Sequence, residues 1–159
     1  MKIGDIASAV GKGLVAGAFG TLALTVTTTA ANKLRGMGPS TTPADAGGKI
    51  LQIQPRSEEG KQRLNQVMHF GYGTAWGVPR AIMGMLGLRW MIATLAHFFA
   101  VWGAELGMLP MLRVAPPPTK WEKEELALDA LHHLVYAGAT TVAFNFLDRR
   151  SERAHQAAA

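Results

Sequence analysis

Cysteine is absent from this chain of 159 residues. Without a thiol there is no disulfide framework, no thiolate metal ligand and no cysteine nucleophile, so these chemistries are excluded. The sequence also lacks a catalytic serine elbow, a phosphate-cradling glycine loop and a nucleotide-binding fingerprint. Its glycines recur at helix-packing intervals instead of standing between a strand and a helix. These absences point away from the common enzyme classes, and we expect a protein that is not an enzyme.

Charged residues are also scarce, at 17% of the chain against 48% hydrophobic residues. Residues 13–32 contain no Asp, Glu, Lys or Arg. About twenty helical residues span the roughly 30 Å of a bilayer core. Three more apolar stretches follow, each interrupted by one charged residue: Arg80, Glu105 or Asp129. The pattern predicts an all-α protein, a polytopic membrane four-helix bundle in one domain over 1–150. The predicted spans are 13–33, 65–88, 90–112 and 125–147.

The connections between these spans carry their own signals. The first is polar, and its sequence Thr42-Pro43-Ala44-Asp45 is typical of a helix start, which predicts a short helix lying at the membrane interface. Pro79 lies inside the second span and predicts a kink near 75–80. The turn before Trp90 is so short that the second and third spans must be antiparallel neighbours. Residues 151–159 are predicted to form a flexible basic and alanine-rich tail.

The formal net charge of +5 would suggest nucleic acid for a soluble domain, but here the basic residues flank the spans. In that position they act as membrane anchors and topology signals, so nucleic acid is not an expected partner. The expected partners are the lipid bilayer and either other membrane subunits or a second copy. A secretory signal peptide is the alternative interpretation of the first apolar run, although that run is long for one. The loop charges favour cytoplasmic termini by a small margin.

Polar residues recur on one face of each predicted span. At about 100° per residue, His69, Tyr72 and Arg80 share a face of the second span. The other spans carry similar seams, and in lipid such seams turn inward because an unpaired charge there costs at least about 2.5 kcal/mol. The candidate buried polar cluster consists of His69, Tyr72, Arg80, His97, Glu105, Asp129, His132, His133 and Tyr136.

Matching depths across antiparallel helices predicts which of these residues meet. Arg80 and His97 lie about equally far from the turn that joins their spans, so they are expected at one level. Glu105 is expected level with Tyr72 and with either His132 or His133. The favoured interpretation is structural: hydrogen bonds and an ion pair of Glu105 with Arg80 or a histidine tie the helices together.

Two functional alternatives exist for this cluster. His and Glu on neighbouring helices are the ligands of metal centres in bundles, although no Glu-x-x-His pair is present. A proton relay is the other, because histidine titrates near neutrality. No metal and no cofactor is predicted, and no catalytic residue can be assigned.

Glycines spaced by four recur in three of the spans. Such pairs let membrane helices approach closely when no hydrophobic gain drives their association. The predicted helix-packing residues are Gly13, Gly17, Gly73, Gly77, Gly103 and Gly107.

The runs HFGYGTAWG, at 69–77, and VWGAELGMLPMLRVAPPP, at 101–118, resemble segments of the YagU-like family of small bacterial inner-membrane proteins. This resemblance implies a multi-pass protein of the bacterial inner membrane with no assigned chemistry, and it marks His69, Tyr72 and Glu105 as positions of interest. From the residues we expect an accessory or structural subunit of a larger membrane assembly. The alternative is a small ion- or proton-coupled transporter or a membrane enzyme that uses the His, Glu and Arg residues of the interior.

Overall fold

The structure of the chain, a computed structural model, describes residues 2–157 and the side chains as far as Ser151. Within those residues the regular elements are helices and there is no strand, so the predicted all-α fold is confirmed. The helices are α1 (Ile3–Leu34), α2 (Thr42–Leu51), α3 (Glu58–Ala75), α4 (Gly77–Met85), α5 (Trp90–Met111) and α6 (Lys123–Ala157), with a 3-10 turn at Pro118–Lys120.

Two of these helices, α1 and α5, are long and apolar enough to cross a membrane, judged by length and composition. Helix α1 contains the predicted span 13–33, and α5 covers the predicted span 90–112 except for its last residue. The predicted span 65–88 is divided between α3 and α4, and its last three residues follow the end of α4. The predicted span 125–147 lies inside α6. Helix α6 continues to Ala157, so most of the tail expected at 151–159 has a helical backbone; Ala158 and Ala159 lie outside the described residues.

The break between α3 and α4 falls at Trp76, inside the predicted kink. Its physical cause is Pro79, which has no N–H and so leaves the carbonyl of Ala75 without its helical donor. Side chains of other helices bond to carbonyls around the break. The His97 ring Nε2 lies 2.9 Å from the Trp76 carbonyl oxygen, and the Tyr136 hydroxyl donates to the Gly73 carbonyl at 2.6 Å.

Helix α1 lies against α3, α4 and α6, and α5 lies against α4 and α6. Glycines allow the closest of these contacts. A Cβ on Gly13 would be 2.6 Å from the Gly77 carbonyl oxygen, and one on Gly17 would be 3.0 Å from the Gly77 Cα. A Cβ on Gly73 would overlap the Thr21 side chain. Four of the predicted packing glycines therefore lie where α1 crosses the α3–α4 break.

Helix α2 is the short helix predicted in the first connection, and it packs against α3. The Asn65 side chain accepts from the Ala44 amide at 3.0 Å, which holds the start of α2 to α3. Lys49 Nζ donates to the carbonyls of Leu112 and Arg113 at 2.7 and 2.8 Å. Those carbonyls are at the C-terminal end of α5, where helical acceptors lack partners. Helix α2 thereby connects two other helices at one end of the molecule.

Polar and apolar side chains are distributed in the reverse of the pattern found in soluble proteins. The fully buried side chains include Arg80 and His97, at 2% and 0% exposure. Large apolar side chains point outward, with Phe99 61% and Val142 71% exposed. The apolar core between the helices is small and consists mainly of alanines with Phe144.

Candidate functional site

Glu105, Asp129 and His133 come together between α5 and α6. Glu105 lies six residues before the end of α5, and Asp129 six residues after the start of α6. Both are thus about 9 Å from the same end of the helix pair. His133 is one turn beyond Asp129 on the same face. We call these three residues the acid–histidine cluster.

The shortest contact in this cluster joins His133 Nε2 to Glu105 Oε2 at 2.6 Å. On its other side, the His133 ring Nδ1 lies 3.0 Å from the Asp129 carbonyl oxygen. A carbonyl only accepts, so Nδ1 carries a hydrogen and Nε2 is the nitrogen that faces Glu105. One proton is then shared across the His133–Glu105 contact, on the imidazole or on the carboxylate.

The Asp129 carboxylate completes the cluster. Its Oδ1 lies 3.7 Å from His133 Nδ1, and its Oδ2 accepts from the Trp102 indole at 2.9 Å. One potential ligand atom from each of Glu105, Asp129 and His133 falls within 4.8 Å of the others. The side chains of Glu105 and Asp129 remain 21% and 26% exposed, and that of His133 12%. The cluster is therefore reachable from outside the helices.

His69 and Tyr72 lie on α3 beside this cluster and do not bond to it. Thr25 Oγ1 donates to the Thr21 carbonyl at 2.7 Å, so its oxygen accepts from His69 Nε2, 2.9 Å away. His69 is close enough to Glu105 for the two side chains to interact electrostatically. Tyr72 is predicted to lie in the interior, but its side chain is 39% exposed because its position on α3 turns it toward the outside of the helix bundle.

Arg80 forms a second and separate group with residues of α6. Its Nε donates to Thr141 Oγ1 at 3.0 Å and its Nη2 to Asn145 Oδ1 at 2.9 Å. The guanidinium also lies over the Phe144 ring, 4.8 Å from the centroid. Its bonds are to neutral groups, so the predicted alternative of a Glu105–Arg80 ion pair is wrong. Glu105 pairs with a histidine, the other alternative.

The remaining members of the predicted cluster are divided. His97 and Tyr136 contact each other near the helix break, with ring centroids 5.6 Å apart. Since His97 Nε2 donates to the Trp76 carbonyl, Nδ1 is an acceptor, and it has no partner among the described residues. His132 is buried, but it points away from the acid–histidine cluster because adjacent helical residues differ by about 100°.

Sequence reasoning misses three residues that contribute bonds: Trp102, Thr141 and Asn145. Trp102 precedes Glu105 by three positions, and Thr141 and Asn145 are four apart on one face of α6. These spacings are a signal that the sequence offers. They carry little weight on their own because Thr, Asn and Trp fit many places in a helix.

Gly103 and Gly107 do not pack within the chain. A Cβ on either would meet nothing within 4 Å, because this face of α5 points outward. The prediction that they mediate helix packing is therefore wrong for contacts inside this chain.

No protein-family model, no curated protein and no solved structure matches this chain.

Proposed function

We propose that this chain is a four-span integral membrane protein that acts as an accessory or structural subunit of a larger membrane assembly. The observation that carries the proposal is the reversed distribution of polarity. Arg80, His97 and several threonines are buried, while phenylalanine, leucine and valine side chains cover the outside. Water as the surrounding solvent would favour the opposite arrangement, whereas lipid favours this one.

The two most apolar helices support a membrane location in a second way. In the apolar 18-residue stretch of each helix that could cross the membrane, only 22% of α1 and 28% of α5 is buried inside the structure. A core helix of a soluble protein would be mostly buried. The other two proposed spans, α3–α4 and α6, also expose apolar side chains, such as Ile82 and Phe146. The YagU-like resemblance leads us to place the protein in the bacterial inner membrane.

A subunit role is favoured by the outer face of α5. Two pairs of glycines spaced by four residues, Gly13 with Gly17 and Gly73 with Gly77, lie in close helix contacts. Gly103 and Gly107 have the same spacing but face outward. In a bilayer, such a pair suits the close approach of a helix from another chain. We propose that a membrane helix of a partner subunit packs there.

Co-purification from native membranes in mild detergent tests this role. Gly103→Leu with Gly107→Leu should remove a defined partner that the unchanged protein retains, because two leucines block close approach on that face. Gly71→Leu is the matched control, since a Cβ at Gly71 also meets nothing within 4 Å. Equal recovery of the partner with both variants, or no partner in any sample, would contradict the subunit role.

A small ion- or proton-coupled transporter is the second candidate. The partial exposure of Glu105 and Asp129 favours it, because a coupling site must exchange its ion with water. Glu105→Gln would then abolish transport by purified protein in vesicles while the assembly stays intact. Loss of assembly alone would favour the subunit role.

A further inference from the structure

We propose that the acid–histidine cluster is a binding site for a divalent transition-metal ion of the Zn²⁺ type, held by Glu105, Asp129 and His133. The proposal goes beyond the subunit role and does not depend on the outer glycines of α5. It rests on the placement of the three ligand groups, on their charge and on the groups that orient them.

The donor atoms are close enough for one ion. They lie within 4.8 Å of one another, and ligands about 2.1 Å from a tetrahedral Zn²⁺ lie about 3.4 Å apart. Small side-chain rotations bring the carboxylates to that separation. The ion would replace the proton now shared between His133 Nε2 and Glu105 Oε2, so those two atoms move apart as it enters. Three protein ligands leave a fourth position for water.

The charges of the cluster also suit a divalent cation. Among the residues with described side chains, neither Glu105 nor Asp129 forms an ion pair with a lysine or arginine. An imidazolium at His133 neutralises only one of the two carboxylates. A divalent ion with a neutral imidazole gives a net charge of zero, which is favourable where the surroundings are poor in water.

The ligands are oriented as metal ligands are. His133 Nδ1 donates to the Asp129 carbonyl, which fixes the ring so that Nε2 faces Glu105. A metal-bound histidine almost always donates its other nitrogen in this way. The indole of Trp102 donates to Asp129 Oδ2 and holds that carboxylate. The other oxygen, Asp129 Oδ1, lies 3.7 Å from His133 Nδ1, beyond hydrogen-bond distance, and would turn toward the ion.

Titration of the purified full-length protein in detergent tests the site, with Zn²⁺ in competition with a chromophoric chelator and Co²⁺ as a spectroscopic probe. We expect one ion per chain and visible Co²⁺ bands of a low-coordinate site. Glu105→Gln and His133→Gln should each weaken Zn²⁺ binding by at least about tenfold. Trp102→Phe keeps the ring, removes only the hydrogen bond and should weaken binding by about 10-fold to 100-fold. Zn²⁺ affinity should increase with pH, because the ion displaces a proton.

Matched controls lie one helical position away and at the start of α6. His132→Gln and Glu124→Gln should leave the Zn²⁺ affinity unchanged. Circular dichroism identifies any variant that fails to fold. If Glu105→Gln or His133→Gln does not fold, the Zn²⁺ affinity of Trp102→Phe tests the site instead. Equal loss of binding in His132→Gln and His133→Gln would overturn the proposal. So would a cluster that binds only a proton, with no Co²⁺ bands at one equivalent.

Discussion

Buried Arg80 has an unusual set of partners, because they are a threonine, an asparagine and an aromatic ring. The nearby carboxylate of Asp148 is bonded to Lys12 at 2.8 Å. The planar guanidinium reaches Thr141 with one nitrogen and Asn145 with another while it covers Phe144. A lysine has neither the fork nor the planar face that this arrangement needs.

Arg80→Lys is therefore expected to destabilise the protein by about 1–3 kcal/mol, the cost of leaving buried polar groups without partners. The measurement is the unfolding midpoint in mixed micelles, followed by tryptophan fluorescence. Arg89→Lys, at an exposed position before α5, is the control and should change stability by less than about 0.5 kcal/mol. Equal stability of the two variants would show that the fork geometry of Arg80 is unimportant.

Gly77 gives a second prediction at the scale of one residue. A Cβ there would overlap the Gly13 carbonyl, so Gly77→Ala must push α1 and α4 apart. Overpacking of this kind costs about 1–3 kcal/mol. Gly71→Ala meets open space in helix α3 and is expected to stabilise the protein by about 0.4–1 kcal/mol. Unfolding of both variants under the same conditions should give shifts of opposite sign, and a Gly77→Ala variant as stable as Gly71→Ala would contradict the close contact.

How far the sequence predicts the site differs from residue to residue. Depth matching leads to Glu105 and a span-four histidine, because both lie within about three turns of the same end of their helices. It cannot choose between His132 and His133, since adjacent residues share a depth. Which of the two histidines meets Glu105 depends on the helix face that each one occupies, and therefore on how α6 is rotated about its axis relative to α5. That rotation is set by packing along the whole interface.

At the scale of helices, features that depend on one helix alone are predicted better from the sequence than contacts between helices. Pro79 acts on its own helix, so the break at Trp76 can be located from the sequence alone. Glycine spacing marks a helix face suited to close approach but does not identify the neighbour. Gly13 and Gly77 meet inside the chain, whereas Gly103 faces outward. Which face a neighbouring helix covers is decided by the arrangement of all the helices.

The attachment of α2 to α3 gives a prediction about pH. Burial alone would raise the pKa of Asp45, but hydrogen bonds from Lys61 and Thr41 and the charges of Lys61 and Lys49 outweigh it. The pKa of Asp45 therefore lies below its ordinary value of 3.8. A carboxylate with a lowered pKa contributes stability above its unfolded pKa, and that stability is lost as the pH falls through the folded pKa. We expect α2 to loosen as the pH falls below 3.8.

Amide hydrogen exchange of α2 measures this effect after correction for the intrinsic pH dependence. The ion pair is partly exposed, so the change is expected at about 0.2–1 kcal/mol. Asp45→Asn should exchange faster than the unchanged protein at neutral pH and show no further loss on acidification. A variant with the same pH response as the unchanged protein would mean that another group is responsible.

For the whole molecule, the number of membrane crossings is the property from which the rest of the proposal follows. Helices α1 and α5 are long and apolar enough to cross a membrane, whereas α3–α4 is divided and α6 carries ionisable groups. A bilayer accepts such segments when their polar groups bond to other helices. His97 and Tyr136 bond to carbonyls at the α3–α4 break, and Glu105 pairs with His133 of α6. In the proposed four-span arrangement, α3–α4 and α6 would therefore depend on their neighbours to be stable in lipid.

Single cysteines in this cysteine-free chain distinguish four crossings from two, by labelling with a membrane-impermeant maleimide. Suitable positions are given by Ser8→Cys, Gln54→Cys, Leu86→Cys and Thr119→Cys. With four crossings, positions 8 and 86 lie on one side, which is cytoplasmic in the orientation expected from the loop charges, and only 54 and 119 are labelled in intact cells. If only α1 and α5 cross, position 119 lies on the same side of the membrane as position 8. Position 86 then lies on the same side as position 54. Labelling of 86 together with 54 would therefore refute the four-span arrangement, because α3–α4 would then have failed to cross.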